Sequence, residues 1–372
     1  MLPTILLPPT VFLGLSLTLW TFKCLMMIIF QNKIIYMPNI PPFSRSEAVE
    51  AYTACCWPVR WRAESVLTGD GVRLGAAVGG LAGGSRVRGV RGERKGEMEK
   101  EEDVVVLYFQ GWVWFFSLSG DSSADEPYRN ASSLPPRLPF LSNVLKMADS
   151  PVRTTKNSII VAVSYRGFWT STGRPSQKGI ERDADAALSW VFQRFFSSPS
   201  RSTRPKKLLI WGQSIGAGVA TTLTARYLNK PLLWSSSQGH GEDVNKIPIS
   251  GLILETPFTN MRDLLLAFYP QRWLPYRYLG PFLRSHWNNL QAMQQVAQAQ
   301  TSEIQEKPKI LMLQAGSDEV VPAGNAEQLE RWCRELGLDV ERRLVQGALH
   351  SNVVAKGEGQ DAIARFLRDF DW

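Results

Sequence analysis

Five short apolar runs recur along the chain: DVVVLYF (103–109), SIIVAVSY (158–165), KKLLIW (206–211), ISGLILE (249–255) and KILMLQ (309–314). Each is rich in aliphatic and β-branched residues and bounded by turn formers. Runs of this kind, without polar alternation, are strands buried on both faces. Helix-like segments alternate with them at 178–195, 215–228, 323–336 and 360–370. Strand–helix alternation with two-sided burial requires a largely parallel sheet with helices on both faces, an α/β fold. A further pair of shorter stretches flanks Thr68-Gly69-Asp70-Gly71, a turn signal that predicts a β-hairpin.

Composition excludes several functions. The net charge is +8 over 372 residues, and the basic residues are scattered without an aromatic-interleaved stripe. Nucleic acid is therefore not an expected partner. Cys24, Cys55, Cys56 and Cys333 have no metal-ligand spacing, so neither a structural metal nor a disulfide framework is expected. No metal or organic cofactor is called for.

The first 30 residues differ from the rest. From Ile5 to Phe30 the only charge is Lys23, and such a stretch is long enough to span a bilayer. It has neither the basic start nor the small-residue cleavage site of a signal peptide. The expectation is a transmembrane anchor over 1–30, with Lys23 reaching to the interface. The alternative is an amphipathic or buried helix. Lys33 and Arg45 follow the span, which favours a cytosolic body. Residues 31–372 then form one catalytic-sized domain. Within it, 33–47 is proline-rich and expected to be extended. Residues 79–102 are a low-complexity loop of Gly, Arg, Lys and Glu. The aromatic, proline-broken stretch 256–305 is too long for a simple connection and reads as a cap.

The chemistry centres on LLIWGQSIGAG (208–218). Gly212-Gln213-Ser214-Ile215-Gly216 is a G-x-S-x-G pattern that leaves a strand and opens a helix, which is the context of a nucleophile elbow. Gly212 and Gly216 keep the turn clear of side chains. The Ile215 amide begins a helix, where free N–H groups favour an oxyanion. A serine nucleophile needs a base, and there are three histidines. His240 sits in a polar SSSQGHGED stretch and His286 in the aromatic cap. His350 follows a strand-like ERRLV and precedes the last helix, and is the expected base. Asp318, in the loop after KILMLQ, is the expected acid, with Glu319 the alternative. The order Ser214, Asp318, His350 is that of α/β-hydrolases.

With these motifs the chain resembles the abhydrolase-domain family of membrane-anchored α/β-hydrolases, especially its fungal, bud-emergence-type branch. The resemblance runs through KIIYMPNIPPFSRSE, SYRGFWTSTGRPSQKGIERDADAALSWV, GQSIGAG, LETPFTNMRDLL, WLPYRYLGPFLRSHW, AGSDEVVP and GALHSN. It implies an α/β-hydrolase fold with a mostly parallel central sheet and a helical cap, and Ser214, Asp318 and His350 as the triad. The family includes acylglycerol and lysophospholipid lipases and protein depalmitoylases.

One departure follows the first core strand. The family reads close to Y-F-H-G-N-A-G there, and a loop amide completes the oxyanion hole. This chain has YFQG, with Gln110 in place of the histidine and Gly111 next to it, followed by 112–129 before NASSLPPRLPFL. Removing 112–129 restores the match, so these residues read as an insertion in the oxyanion loop. The second oxyanion donor is Trp112 in the contiguous reading, or Asn130 if 112–129 is an insertion. Asn130 also opens a glycosylation sequon.

The expected function is a membrane-anchored serine hydrolase cleaving an acyl ester or thioester of a lipid or an acylated protein. The endoplasmic reticulum or another endomembrane is the expected location, with the plasma membrane as the alternative. The rival reading is a membrane scaffold or polarity factor that keeps the fold and has lost turnover.

Overall fold

The computed structural model describes residues 7–38, 44–81, 103–111, 133–149, 157–196, 206–229, 247–299 and 306–368. Eight strands form one sheet in the order β1-β2-β4-β3-β5-β6-β7-β8. They are β1 (Val59–Leu67), β2 (Arg73–Leu81), β3 (Asp103–Phe109), β4 (Asn157–Val163), β5 (Lys206–Gln213), β6 (Ile249–Glu255), β7 (Lys309–Ala315) and β8 (Val340–Val345). β1 and β2 are the expected hairpin, antiparallel to each other, and β2 also pairs antiparallel with β4; all later pairings are parallel. The hairpin turn is closed by Thr68, whose amide donates to Val72 O, and by Gly71 at φ +80°.

The helices are α1 (Leu7–Ile29), α2 (Gln31–Tyr36), α3 (Thr53–Cys56), α4 (Leu138–Ala148), α5 (Gln177–Val191), α6 (Ile215–Asn229), α7 (Met261–Phe268), α8 (Asn289–Gln298), α9 (Gly324–Glu335) and α10 (Gly357–Arg368). Alternate residues of each strand face opposite sides. Val105, Leu107 and Phe109 pack with α5, α6, α8 and α9, through Leu188, Leu223, Met293 and Leu329. Val104, Val106 and Tyr108 pack with α4 and α10, through Leu141, Leu145 and Ile363. Both faces are covered, which is why β3 to β7 carry unbroken apolar interiors.

Two local expectations need correction. Lys33–Tyr36 is not extended but completes α2, and Tyr36 is fully buried. Gly79–Leu81 belong to β2 rather than to a loop, because they pair with β1; residues 82–102 lie outside the described residues. After the stretch 112–132, which lies outside the described residues, Pro135–Arg137 make one 3₁₀ turn that leads into α4, a helix the sequence reading did not assign. Proline is accepted in a first turn because the missing N–H would be unpaired there.

α1 is the one helix among the described residues long and apolar enough to cross a membrane. The segment between β6 and β7 folds as α7, a 3₁₀ stretch Pro275–Phe282, and α8.

Candidate active site

β5 ends at Gln213 and α6 starts at Ile215, so Ser214 alone makes the turn. Its φ is +53°, a left-handed conformation that is strained for a side chain other than glycine. The turn is held from both sides. The Ser214 amide donates to Glu255 O at 2.8 Å, and the Ala217 amide donates to Ser214 O at 2.8 Å. The flanking glycines are required by space. A Cβ on Gly212 would meet Gly216 O at 2.1 Å, and one on Gly216 would meet Phe109 O at 2.2 Å.

Ser214, Asp318 and His350 come together from three loops. His350 Nε2 is 2.8 Å from Ser214 Oγ. His350 Nδ1 is 2.9 Å from each Asp318 carboxylate oxygen. The amides of Val320 and Val321 donate to Asp318 Oδ1 at 2.9 and 2.7 Å, which fixes the carboxylate. His350 is fully buried. Glu319 does not reach the imidazole; its carboxylate accepts the His350 backbone amide at 2.9 Å. His286 is exposed, in the segment between β6 and β7, and His240 lies outside the described residues.

The oxyanion region is described in part. Ile215 is the first residue of α6. Gly111 lies against the elbow, where an added Cβ would meet Ser214 Cβ at 2.9 Å. Its amide donates to Gln213 Oε1 at 3.4 Å. Gln110 is buried and its carbonyl accepts from Tyr165 Oη at 3.0 Å, but its side-chain amide has no partner among the described residues. Trp112, Asn130 and the whole of 112–129 lie outside the described residues. Among the described residues, no cluster of three His, Cys, Asp or Glu side chains could hold a metal ion.

The α/β hydrolase of Vibrio vulnificus superposes with a TM-score of 0.52 at 16% identity, over 91% of this chain and 90% of that one. An esterase of Rhizomucor miehei superposes at 0.50 with 17% identity, over 90% and 93%. The fold is that of the α/β hydrolases. No protein-family model matches the chain. Protein bem46 of Schizosaccharomyces pombe is 28% identical over 166 residues, covering 45% of this chain and 44% of its own. The lysophosphatidylserine lipase ABHD12 of Danio rerio is 36% identical over 123 residues, covering 33% and 26%. Over part of its length the chain is thus similar to a bem46 protein and to an abhydrolase-domain lipase. An uncharacterized protein of Mycobacterium tuberculosis is also similar, 27% identical over 213 residues and 60% of its length. The chain thus spans between 26% and 60% of these relatives.

Beneath the elbow lies a polar group that sequence reasoning missed. Glu255 closes β6 and is fully buried. Its Oε1 accepts from Gln213 Nε2 at 3.1 Å, and its Oε2 meets no partner with hydrogen-bond geometry among the described residues. Burial pushes its carboxyl up to about 7, against the opposing pull of Arg137 and His350. Arg137 also donates to Ser351 O at 2.8 Å, so it holds the loop that carries His350. The one available signal for Glu255 was a charge ending an otherwise apolar strand.

Proposed function

We propose that the chain is a membrane-anchored serine hydrolase that cleaves an acyl ester or thioester. The observation that carries this reading is the continuous relay from Ser214 Oγ through His350 to Asp318, with contacts of 2.8 and 2.9 Å. In this mechanism His350 Nε2 accepts the Ser214 proton as Oγ attacks the carbonyl carbon. Asp318 holds Nδ1–H, fixing the tautomer, and stabilises the imidazolium that forms. The Ile215 amide, together with a loop amide from Trp112 or Asn130, binds the developing oxyanion. His350 then gives the proton to the leaving oxygen or sulfur, and water attacks the acyl-enzyme by the reverse path.

Three features favour a lipidic substrate. α1 is apolar and exposed along most of its length, as expected of an anchor over residues 1–30. A relative that is similar over part of the chain is named a lysophosphatidylserine lipase. The cap over 256–305 supplies aromatic surface beside that helix. The expected location is a membrane, the endoplasmic reticulum or another endomembrane, with the plasma membrane as the alternative and the body on one side of a single span.

The test is hydrolysis by the purified full chain of lysophospholipids, monoacylglycerols and a short-chain ester, alongside Ser214→Ala. Loss of a triad serine costs on the order of 10⁶-fold in a well-studied serine protease. The variant should lose all measurable turnover and keep the wild-type melting temperature. Equal turnover by the variant overturns the assignment. The rival reading, a membrane scaffold without turnover, draws support from the insertion at 112–129; it predicts that the wild type is inert on every substrate.

A further inference from the structure

The anchor and the cap are not separate parts. Gln31, just past α1, donates from Nε2 to Phe282 O at 2.9 Å, and its Oε1 accepts the Arg284 amide at 2.6 Å. Tyr36 lies inside the domain, with its hydroxyl 2.8 Å from Ser285 Oγ and accepting from Trp287 Nε1 at 3.2 Å. Further back on the helix, the Trp20 and Trp273 rings meet at 6.2 Å. The cap segment 273–284 therefore runs alongside the last part of α1, from Trp20 to its end.

Burial along α1 changes at the same place. Leu7 to Lys23 are exposed except Ser16, whereas Cys24, Met26, Met27 and Ile28 are partly covered. Trp20 stands nine residues before Ile29, about 14 Å at 1.5 Å per residue. Were the bilayer surface at Ile29, the cap would lie deep in hydrocarbon with Arg272 and Arg277, a costly position for charge. The stretch from Leu7 to Phe22 is about 24 Å long, most of a hydrocarbon core of about 30 Å. Tryptophan and lysine mark the boundary of such spans, and Trp20 and Lys23 stand at its end.

We propose that the bilayer surface lies at Trp20–Lys23 and that the cap is seated in the headgroup layer of an anionic membrane. Its lipid-facing groups are Trp273, Tyr278 and Phe282, which are 67%, 60% and 56% exposed. Around them, 7–38 and 256–299 carry Lys23, Lys33, Arg262, Arg272, Arg277 and Arg284 against one acid, Asp263. That imbalance matches anionic headgroups. The apolar side chains enter the interface and the cations remain at phosphate level. The inference rests on the reading of α1 as a membrane span.

The test uses the full chain in vesicles of phosphatidylcholine and phosphatidylglycerol, with Cys24→Ala and Cys55→Ser to remove the accessible thiols. A fluorophore is attached at W273C, at F282C or, in the span, at F12C. Quenching is compared between lipids brominated near the headgroup or deep in the chain and iodide in the water. The expected result is deep quenching at 12 and shallow-lipid quenching at 273 and 282, with iodide ineffective at all three. Deep quenching at 12 with iodide quenching at 273 and 282 overturns the seating of the cap while leaving the anchor intact. Iodide quenching at 12 overturns the anchor itself, and the seating with it. Positions 273 and 282 are independent, exposed sites, so failure of one variant to fold leaves the other to decide.

Discussion

Glu255→Gln should make the protein more stable at alkaline pH and much less so in acid. Glu255 is fully buried under the elbow, and its carboxyl is raised from 4.5 to about 7 chiefly by desolvation. Between those values the folded chain holds a proton that the unfolded chain has released. Stability therefore falls as pH rises through this window and levels off above about 7. A rise from 4.5 to about 7 corresponds to about 3 kcal/mol, at about 1.4 kcal/mol for each tenfold change in proton affinity. Glutamine copies the neutral acid in shape and can still accept from Gln213 Nε2. It should exceed the wild type by about 1 kcal/mol at pH 5 and by about 3 kcal/mol at pH 8. Asp149 and Asp185 are also raised by burial, to about 6, and act with the same sign. Both are present in the two proteins, so they cancel in the difference. The assay is urea unfolding followed by tryptophan fluorescence in one detergent, at pH 5, 6, 7 and 8. A variant-minus-wild-type difference that is constant across pH would refute the reasoning, because Glu255 would then have the same affinity for its proton folded and unfolded.

Two deletions test the parts around the site. Removing 1–30 should leave a folded protein that still hydrolyses short esters, since Gln31 and Tyr36 keep their bonds to the cap. Removing 1–38 takes out the buried Tyr36 as well and should cost about 3–5 kcal/mol, the range for a large aromatic, seen as a drop in melting temperature. Deleting 112–129 should raise esterase turnover, because misplacing one oxyanion donor costs about 10²–10³ in rate. Melting temperature should change little, since loop length has a weak effect on stability; lower turnover would make the loop a working part of the site.

Much of this architecture is readable in the chain because its burial is two-sided. A strand such as DVVVLYF has no polar face to confuse its period, and the elbow adds glycines where Cβ atoms would collide with Phe109 and Gly216 backbone. With three histidines, position relative to the last strand and helix singles out His350. What escaped reading is non-local. Tyr36 sits in the proline-rich stretch 33–47 that looks extended, Gln31 stands just before it, and their partners at 282–287 lie about 250 positions away in sequence. Their helix is fixed by those tertiary contacts rather than by propensity. α4 was hidden by its prolines, which belong to its first turns. Glu255 showed only as a charge at the end of an apolar run, and its burial is non-local: β6 ends inside the molecule, beside the elbow.

The central claim is that Ser214 is an activated nucleophile, and a fluorophosphonate probe reads this directly. The full chain in detergent is treated with the probe, digested, and mapped by mass spectrometry, alongside His350→Ala and Ser214→Ala. The account predicts one adduct, on Ser214, greatly slowed in the histidine variant because Oγ loses the base 2.8 Å away, and absent in the serine variant. A folded wild-type protein that takes no adduct at Ser214, or one that reacts equally fast without His350, would contradict it.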